Sequence, residues 1–205
     1  NFVGEDFTLK TNGAELVVHQ KDGSITLLDG RGHVLCPALI PMRSDQISPR
    51  NPIGDRLDGL IREFRSQENP RSALGSPLNK DTSFNTEIRS GMGFGLLAQL
   101  QPDERFYGLG TASKEHIKLR GQAYYNWIRY KKSEQPVPFL MSSSGWGIFL
   151  NTTWRHYVDL GKSNPNELLI WGAAGDLDFF LIAGQDFSEL LDRYTQITGR
   201  SMLLP

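Results

Sequence analysis

The chain of 205 residues is long enough for one large domain, or for a domain and a fragment. Its 22 Lys and Arg against 23 Asp and Glu leave a formal net charge of −1. That balance excludes a surface built wholly for nucleic acid or an anionic membrane, since both need a positive surplus.

Hydrophobic residues make up 39% and aromatics 10%, enough to bury a core, so a disordered chain is excluded as well. The 21 glycines and 11 prolines exceed their usual joint share of ~12%. Such punctuation suits short strands and turns better than a helical bundle. No apolar run reaches the ~18 residues that span a bilayer. The single cysteine, Cys36, rules out an internal disulfide and a multi-cysteine zinc site; following Val34 and Leu35, it is expected to pack as a small hydrophobe. The start at Asn1, with no charged-then-apolar leader, and the abrupt stop at Leu204-Pro205 read as cut ends. The chain is therefore expected to be a piece of a longer protein.

The first 40 residues read as an antiparallel meander. Ala14 to His19 is followed by Asp22-Gly23 and then by Ser24 to Leu28, and Asp29-Gly30-Arg31-Gly32 leads into His33-Val34-Leu35. Asp-Gly between β-prone runs marks a hairpin, because the turn needs a positive φ that glycine supplies. Residues 43–90 change character, with mixed charges and Pro49, Pro52, Pro70 and Pro77. They are expected to form an excursion loop with short inserts at 57–64 and 82–89. Strand signals return over 94–100, 124–130, 137–142, 146–151, 155–160, 167–171 and 176–183, separated by turn residues. Strands at that spacing without intervening helices predict a sandwich or barrel. One helix follows. Asp186 is its N-cap, Glu189 completes a capping-box-like pair, and Phe187, Leu190, Leu191, Tyr194 and Ile197 form an apolar face ended by Gly199.

No phosphate-loop, H-E-x-x-H or G-x-S-x-G motif occurs. Gly91-Met92-Gly93-Phe94-Gly95 lacks the strand-loop-helix context of a phosphate cradle and reads as a closely packed strand. His19, His33, His116 and His156 stand far apart with no ligand spacing, so no metal is expected. Asp176 and Asp178 share a strand face and are formal candidates for acid-base work on a sugar, although the pattern also describes a solvated strand end. The segment from Lys114 to Lys132 interleaves Lys118, Arg120, Arg129 and Lys131 with Tyr124, Tyr125, Trp127 and Tyr130. Three readings stay open for it: a single-strand nucleic-acid surface, a sugar pocket with aromatic walls, or a sheet face with a charged loop.

Glu104-Arg105-Phe106-Tyr107-Gly108-Leu109-Gly110 resembles the E-x-F-Y-G-L-G signature of glycoside hydrolase family 31, which holds α-glucosidases and α-xylosidases. The resemblance continues in order through Trp127, Pro138-Phe139, Gly145 to Asn151, Leu177 to Gly184, Asp192-Arg193-Tyr194 and Thr198-Gly199-Arg200. It implies a mainly β, galactose-mutarotase-like antiparallel β-sandwich over residues 1–185. Residues 186–205 would be a helix and linker toward a (β/α)8 catalytic barrel. It also implies that the parent protein hydrolyses α-linked glycosides with retention, using two barrel aspartates, with no cofactor. On that reading this chain has no catalytic residue of its own. Its partners would be an α-linked oligosaccharide or glycoside and the barrel, with neither nucleic acid nor membrane. The family's loop at the active-site mouth falls between Tyr124 and Pro136, so Trp127, Arg129 and Tyr130 are the implied substrate-binding residues. The family's W-N-x-D is matched here at Trp127, while Ile128 and Tyr130 depart from it, and Thr111 replaces the Glu that often follows Y-G-L-G. A free-standing carbohydrate-binding module is the rival reading, and it requires an exposed aromatic platform. The compartment stays open, with the cytoplasm slightly favoured.

Overall fold

A computed structural model describes residues 6–43, 93–113, 116–126, 135–154, 156–172 and 175–200. The expected excursion loop therefore lies outside the described residues, with its inserts at 57–64 and 82–89. In chain order the strands are β1 (Phe7–Lys10), β2 (Ala14–Val18), β3 (Ile25–Asp29), β4 (Val34–Arg43), β5 (Phe94–Gln99) and β6 (Phe106–Gly108). Then come β7 (Ala123–Asn126), β8 (Phe139–Ser142), β9 (Trp146–Leu150), β10 (His156–Leu160), β11 (Glu167–Gly172) and β12 (Phe179–Ala183). A single helix, α1 (Phe187–Thr198), follows them.

The predicted meander is present. His19 and Ser24 close the first turn, the His19 amide donating to Ser24 O at 2.8 Å, with Gly23 at φ 73°. The second turn is organised by the Asp29 carboxylate, which accepts from the Arg31 and His33 amides at 2.8 and 2.9 Å and contacts the His33 ring at 2.9 Å. The His33 contact is the chief reason the Asp29 carboxyl is held down to about 2. Strand β4 runs well past the expected Leu35 despite Pro37 and Pro41. Proline is excluded from regular central strands because it cannot donate to the ladder. Here Pro37 sits at a bulge, between Cys36 opposite Leu27 and Leu39 opposite Ile25, and Pro41 lies beyond the last β3 partner. Strands β1 and β6 are too short to show in the sequence pattern.

Two antiparallel sheets result. The larger has the order β1-β2-β3-β4-β5-β11-β10-β7, and the smaller β12-β9-β8-β6. Their facing side chains interdigitate into one core. Leu39, Leu96, Ala98, Val158, Leu160, Leu168 and Ile170 come from the large sheet, and Phe106, Leu140, Trp146, Ile148 and Leu150 from the small one. Of the sandwich or barrel expected from strand spacing, the structure is the β-sandwich that the family resemblance implies. Cys36 is fully buried in that core, and desolvation, aided by the Glu104 charge, pushes its thiol up to about 12.

The helix covers the other face of the small sheet. Asp186 caps it, its Oδ1 accepting from the Glu189 amide at 2.8 Å, while Glu189 Oε2 accepts from the Gln185 amide at 2.7 Å. Leu190 is fully buried against Phe139 and Ile182, and Tyr194 stacks on Phe139 with centroids 4.2 Å apart. Phe187 meets Tyr107 edge-on at 5.0 Å. Leu191, on the same apolar face by spacing, is not covered by the small sheet and is 45% exposed. The reason is the narrowness of the contact: the helix meets strands β9 and β12 along one line through Leu190 and Tyr194. Leu190→Ala should therefore cost about 2–3 kcal/mol, the lower part of the buried-leucine range, because flexible Met141 can close part of the space. Leu191→Ala should stay within roughly ±0.5 kcal/mol. Urea melts of the two variants check the assignment, and equal losses would refute it.

Candidate functional site

Trp127, Arg129 and Tyr130, the residues implied to meet substrate, lie outside the described residues. What the structure describes is how both ends of their segment are held. The incoming end is Asn126, the last residue of β7, which stands opposite His156 in the β10 ladder. Its Nδ2 lies 3.0 Å from His156 Nε2 and also donates to Val137 O at 3.4 Å. His156 Nδ1 lies 3.0 Å from Trp154 O, a partner that can only accept, so Nδ1 carries the proton and Nε2 accepts from Asn126. Burial lowers the His156 pKa, which keeps the ring in the neutral form this arrangement needs. Asn126 therefore ties the incoming strand to the outgoing segment at Val137. Asn126 itself is not presented to a ligand, because its side chain is 3% exposed and engaged with His156.

The outgoing end is clamped by the signature segment. Gly108, Leu109 and Gly110 all have positive φ, at 117°, 60° and 62°. That unusual run folds the backbone flat against residues 135–139. The Leu109 amide donates to Phe139 O at 2.9 Å and the Thr111 amide to Gln135 O at 3.0 Å, while the Gln135 amide returns a bond to Thr111 Oγ1. Thr111, which replaces the family's Glu, thus helps hold the chain at Gln135. A Cβ on Gly108 would stand 2.4 Å from Phe139 O, and one on Gly110 only 2.2 Å from Gln135 O. Both glycines are required by close backbone approach.

The acidic residue of the signature is structural. Glu104 is 2% exposed, and its Oε1 accepts from Trp146 Nε1 at 2.8 Å and from the Ser142 hydroxyl. Its Oε2 accepts from the Gln101 amide at 2.9 Å. With those donors taken up, the carboxyl is walled off from any substrate. Arg120 completes the corner by donating to the carbonyls of Gln101, Glu104 and Pro165 at 2.7, 2.9 and 3.1 Å. This removes Arg120 from any basic groove, and Tyr124 packs against the core, which weakens the nucleic-acid reading of the same stretch.

The remaining sequence candidates are dispersed. His19 pairs with Asp6 and Thr26, His33 with Asp29, and His156 with Asn126, while His116 is exposed. No group of three or more potential metal ligands occurs among the described residues. Gly95 lies inside β5, paired with Met42 and Trp171, as a strand residue rather than part of a phosphate loop. Asp176 and Asp178 are both exposed before β12, and Asp178 Oδ2 accepts from Asn151 Nδ2 at 2.6 Å. Sequence reasoning missed the Asn126–His156 pair, which brings together residues 30 positions apart.

Residues 3–159 match the glycosyl hydrolase 31 N-terminal galactose mutarotase-like domain. The chain belongs to that family. It is 25% identical to α-xylosidase XylQ of Lactiplantibacillus pentosus over 98% of the chain and 24% of that protein. With an α-xylosidase of Saccharolobus solfataricus it shares 27% identity over 94% of the chain and 26% of the relative. The chain thus spans about a quarter of the length of these relatives. The fold is shared with the cycloalternan-forming enzyme of Listeria monocytogenes, solved in complex with a pentasaccharide substrate. The TM-score there is 0.67, with 16% identity over 100% of this chain and 17% of that one.

Proposed function

We propose that this family 31 domain is the non-catalytic N-terminal β-sandwich of an α-glycosidase that hydrolyses α-linked glycosides with retention. Its barrel would carry the two catalytic aspartates, and this domain would support that barrel and shape the substrate entrance. Residues 1–185 form the sandwich in this reading, and 186–205 lead toward the barrel. The single observation behind it is the use made of the signature segment. Its one carboxyl, Glu104, is consumed by core hydrogen bonds, while its glycines clamp the end of the segment that bears Trp127, Arg129 and Tyr130. A domain that invests its most distinctive residues in anchoring a loop is built to present that loop. Trp127 would stack on a sugar ring, and Arg129 and Tyr130 would hydrogen-bond its hydroxyls, at the mouth of the barrel.

The test is Trp127→Ala in the full-length enzyme. We expect kcat/KM to fall about tenfold or more, equivalent to about 1.4 kcal/mol of lost transition-state binding, with the melting temperature little changed. Unchanged kinetics with a large stability loss would place Trp127 in the core and remove it from the site.

A further inference from the structure

We propose that α1 is the seam between this domain and the one that follows it, with Phe180, Phe187, Leu191 and Ile197 docking on an apolar face of the catalytic barrel. The inference rests on the reading above that such a barrel follows, and it names the surface that meets it. Nine large apolar residues are exposed among the described residues, and these four all belong to one layer, the helix and the sheet face beneath it. The strand register builds that face. Phe180 pairs with Phe149, and Phe149 with Phe139, so the three rings stand in a row across β12, β9 and β8. Phe180 stacks on Phe149 at 5.7 Å, and Tyr194 stacks on Phe139, so the row looks toward the helix and away from the core. A second row runs from Ile182 to Tyr107, the ring that Phe187 meets. At about 100° per residue, the apolar side chains of α1 fan over roughly 120°. The sheet uses only the line through Leu190 and Tyr194, which leaves the four named residues 36% to 45% exposed. Apolar residues gathered on one layer mark an interaction surface, whereas scattered ones do not.

Three observations select the occupant. The matching family domain is N-terminal by description, and this chain spans about a quarter of its relatives, so in them most of the length follows a segment of this kind. The exit is also tied to this layer. Gly199, at φ 97°, ends α1 with its amide on Thr195 O at 2.9 Å, and Arg200 pairs with Asp192 on the same helix. A domain tethered close to Arg200 therefore meets the layer at an effective concentration on the order of millimolar, which favours it over a second copy in solution. Finally, all three charged side chains of α1 are already paired, Glu189 with Arg193 and Asp192 with Arg200. An apolar partner can close over the helix without stranding a charge.

The experiment is hydroxyl-radical footprinting of the full-length protein, with the buried Leu190 as internal reference for its neighbour Leu191. Docked on the barrel, Leu191 should be oxidised as slowly as Leu190, and Phe180 and Phe187 should be slow as well. Leu191→Glu places a charge in the seam. It should raise the oxidation of Phe180 and Phe187 several-fold while Leu190, held on the sheet, stays slow. Leu191 reacting several-fold faster than Leu190 in the unaltered protein would overturn the proposal. So would protection that fades on about tenfold dilution, because that identifies a second copy as the cover. Fast Leu191 together with a kinetic loss in Trp127→Ala refutes this seam and leaves the entrance reading standing. Slow Leu191 with Trp127→Ala kinetically silent supports the seam and refutes the entrance reading.

Discussion

Replacing Glu104 by alanine is expected to destabilise the domain by about 3–5 kcal/mol, within the upper tail of single substitutions. The size follows from what is stranded. Trp146 Nε1, the Ser142 hydroxyl and the Gln101 amide all donate to this carboxyl, and Trp146 and Ser142 are almost fully buried. A buried donor left without a partner costs about 1–3 kcal/mol, and the deleted carboxyl also leaves a void beside Trp146, which it had bonded at 2.8 Å. Glu104→Gln separates the contributions. Its oxygen can still serve Trp146 and Ser142, but its amide nitrogen then faces the Gln101 N–H, donor against donor, at a cost of about 1–2 kcal/mol. Urea melts of both variants check the ordering. If alanine proves no worse than glutamine, the network does not hold the core together.

How much of this was legible in the sequence depended on whether the deciding contact was local. The hairpins at Gly23 and Gly32 were readable because each turn is closed by residues within a few positions of it, such as Asp29 with Arg31 and His33. The helix was readable for the same reason, through Asp186 and Glu189. For Leu191, periodicity identifies an apolar stripe but not how much of it the small sheet covers. The small sheet offers a narrow seat, filled by Leu190 and Tyr194. Strand β4 was cut short because two prolines argue against a central strand, and the bulge that accommodates Pro37 is a property of the pairing with β3.

The candidate site was legible as a motif and opaque as a device. Glu104 stood in the signature with no role assigned to it. Only the partners, 38 and 42 positions away, reveal a core function. Asn126 lies in the stretch left open to a sugar-pocket reading, yet its amide is held by a histidine on another strand. Long-range hydrogen bonds of this type leave no periodic trace.

Gly110→Val should be the most damaging single change in the described structure, at more than about 4 kcal/mol. Two independent penalties meet there. A residue with a Cβ at φ 62° carries about 1–2 kcal/mol of left-handed strain, and β-branching makes that conformation a true outlier. In addition, its Cβ would stand 2.2 Å from Gln135 O and 2.8 Å from Val137 N, both backbone atoms that cannot rotate away. The clamp on residues 135–139 would have to open, and the Thr111–Gln135 bonds would open with it. Gly121 supplies the control. It also has positive φ, at 79°, but a Cβ there would meet nothing within 4 Å. Gly121→Val should therefore show the conformational penalty alone, roughly 2 kcal/mol. The gap between the two, read from denaturant midpoints, measures the backbone contact itself. Equal losses would mean that the signature glycines serve only a local turn and do not clamp residues 135–139.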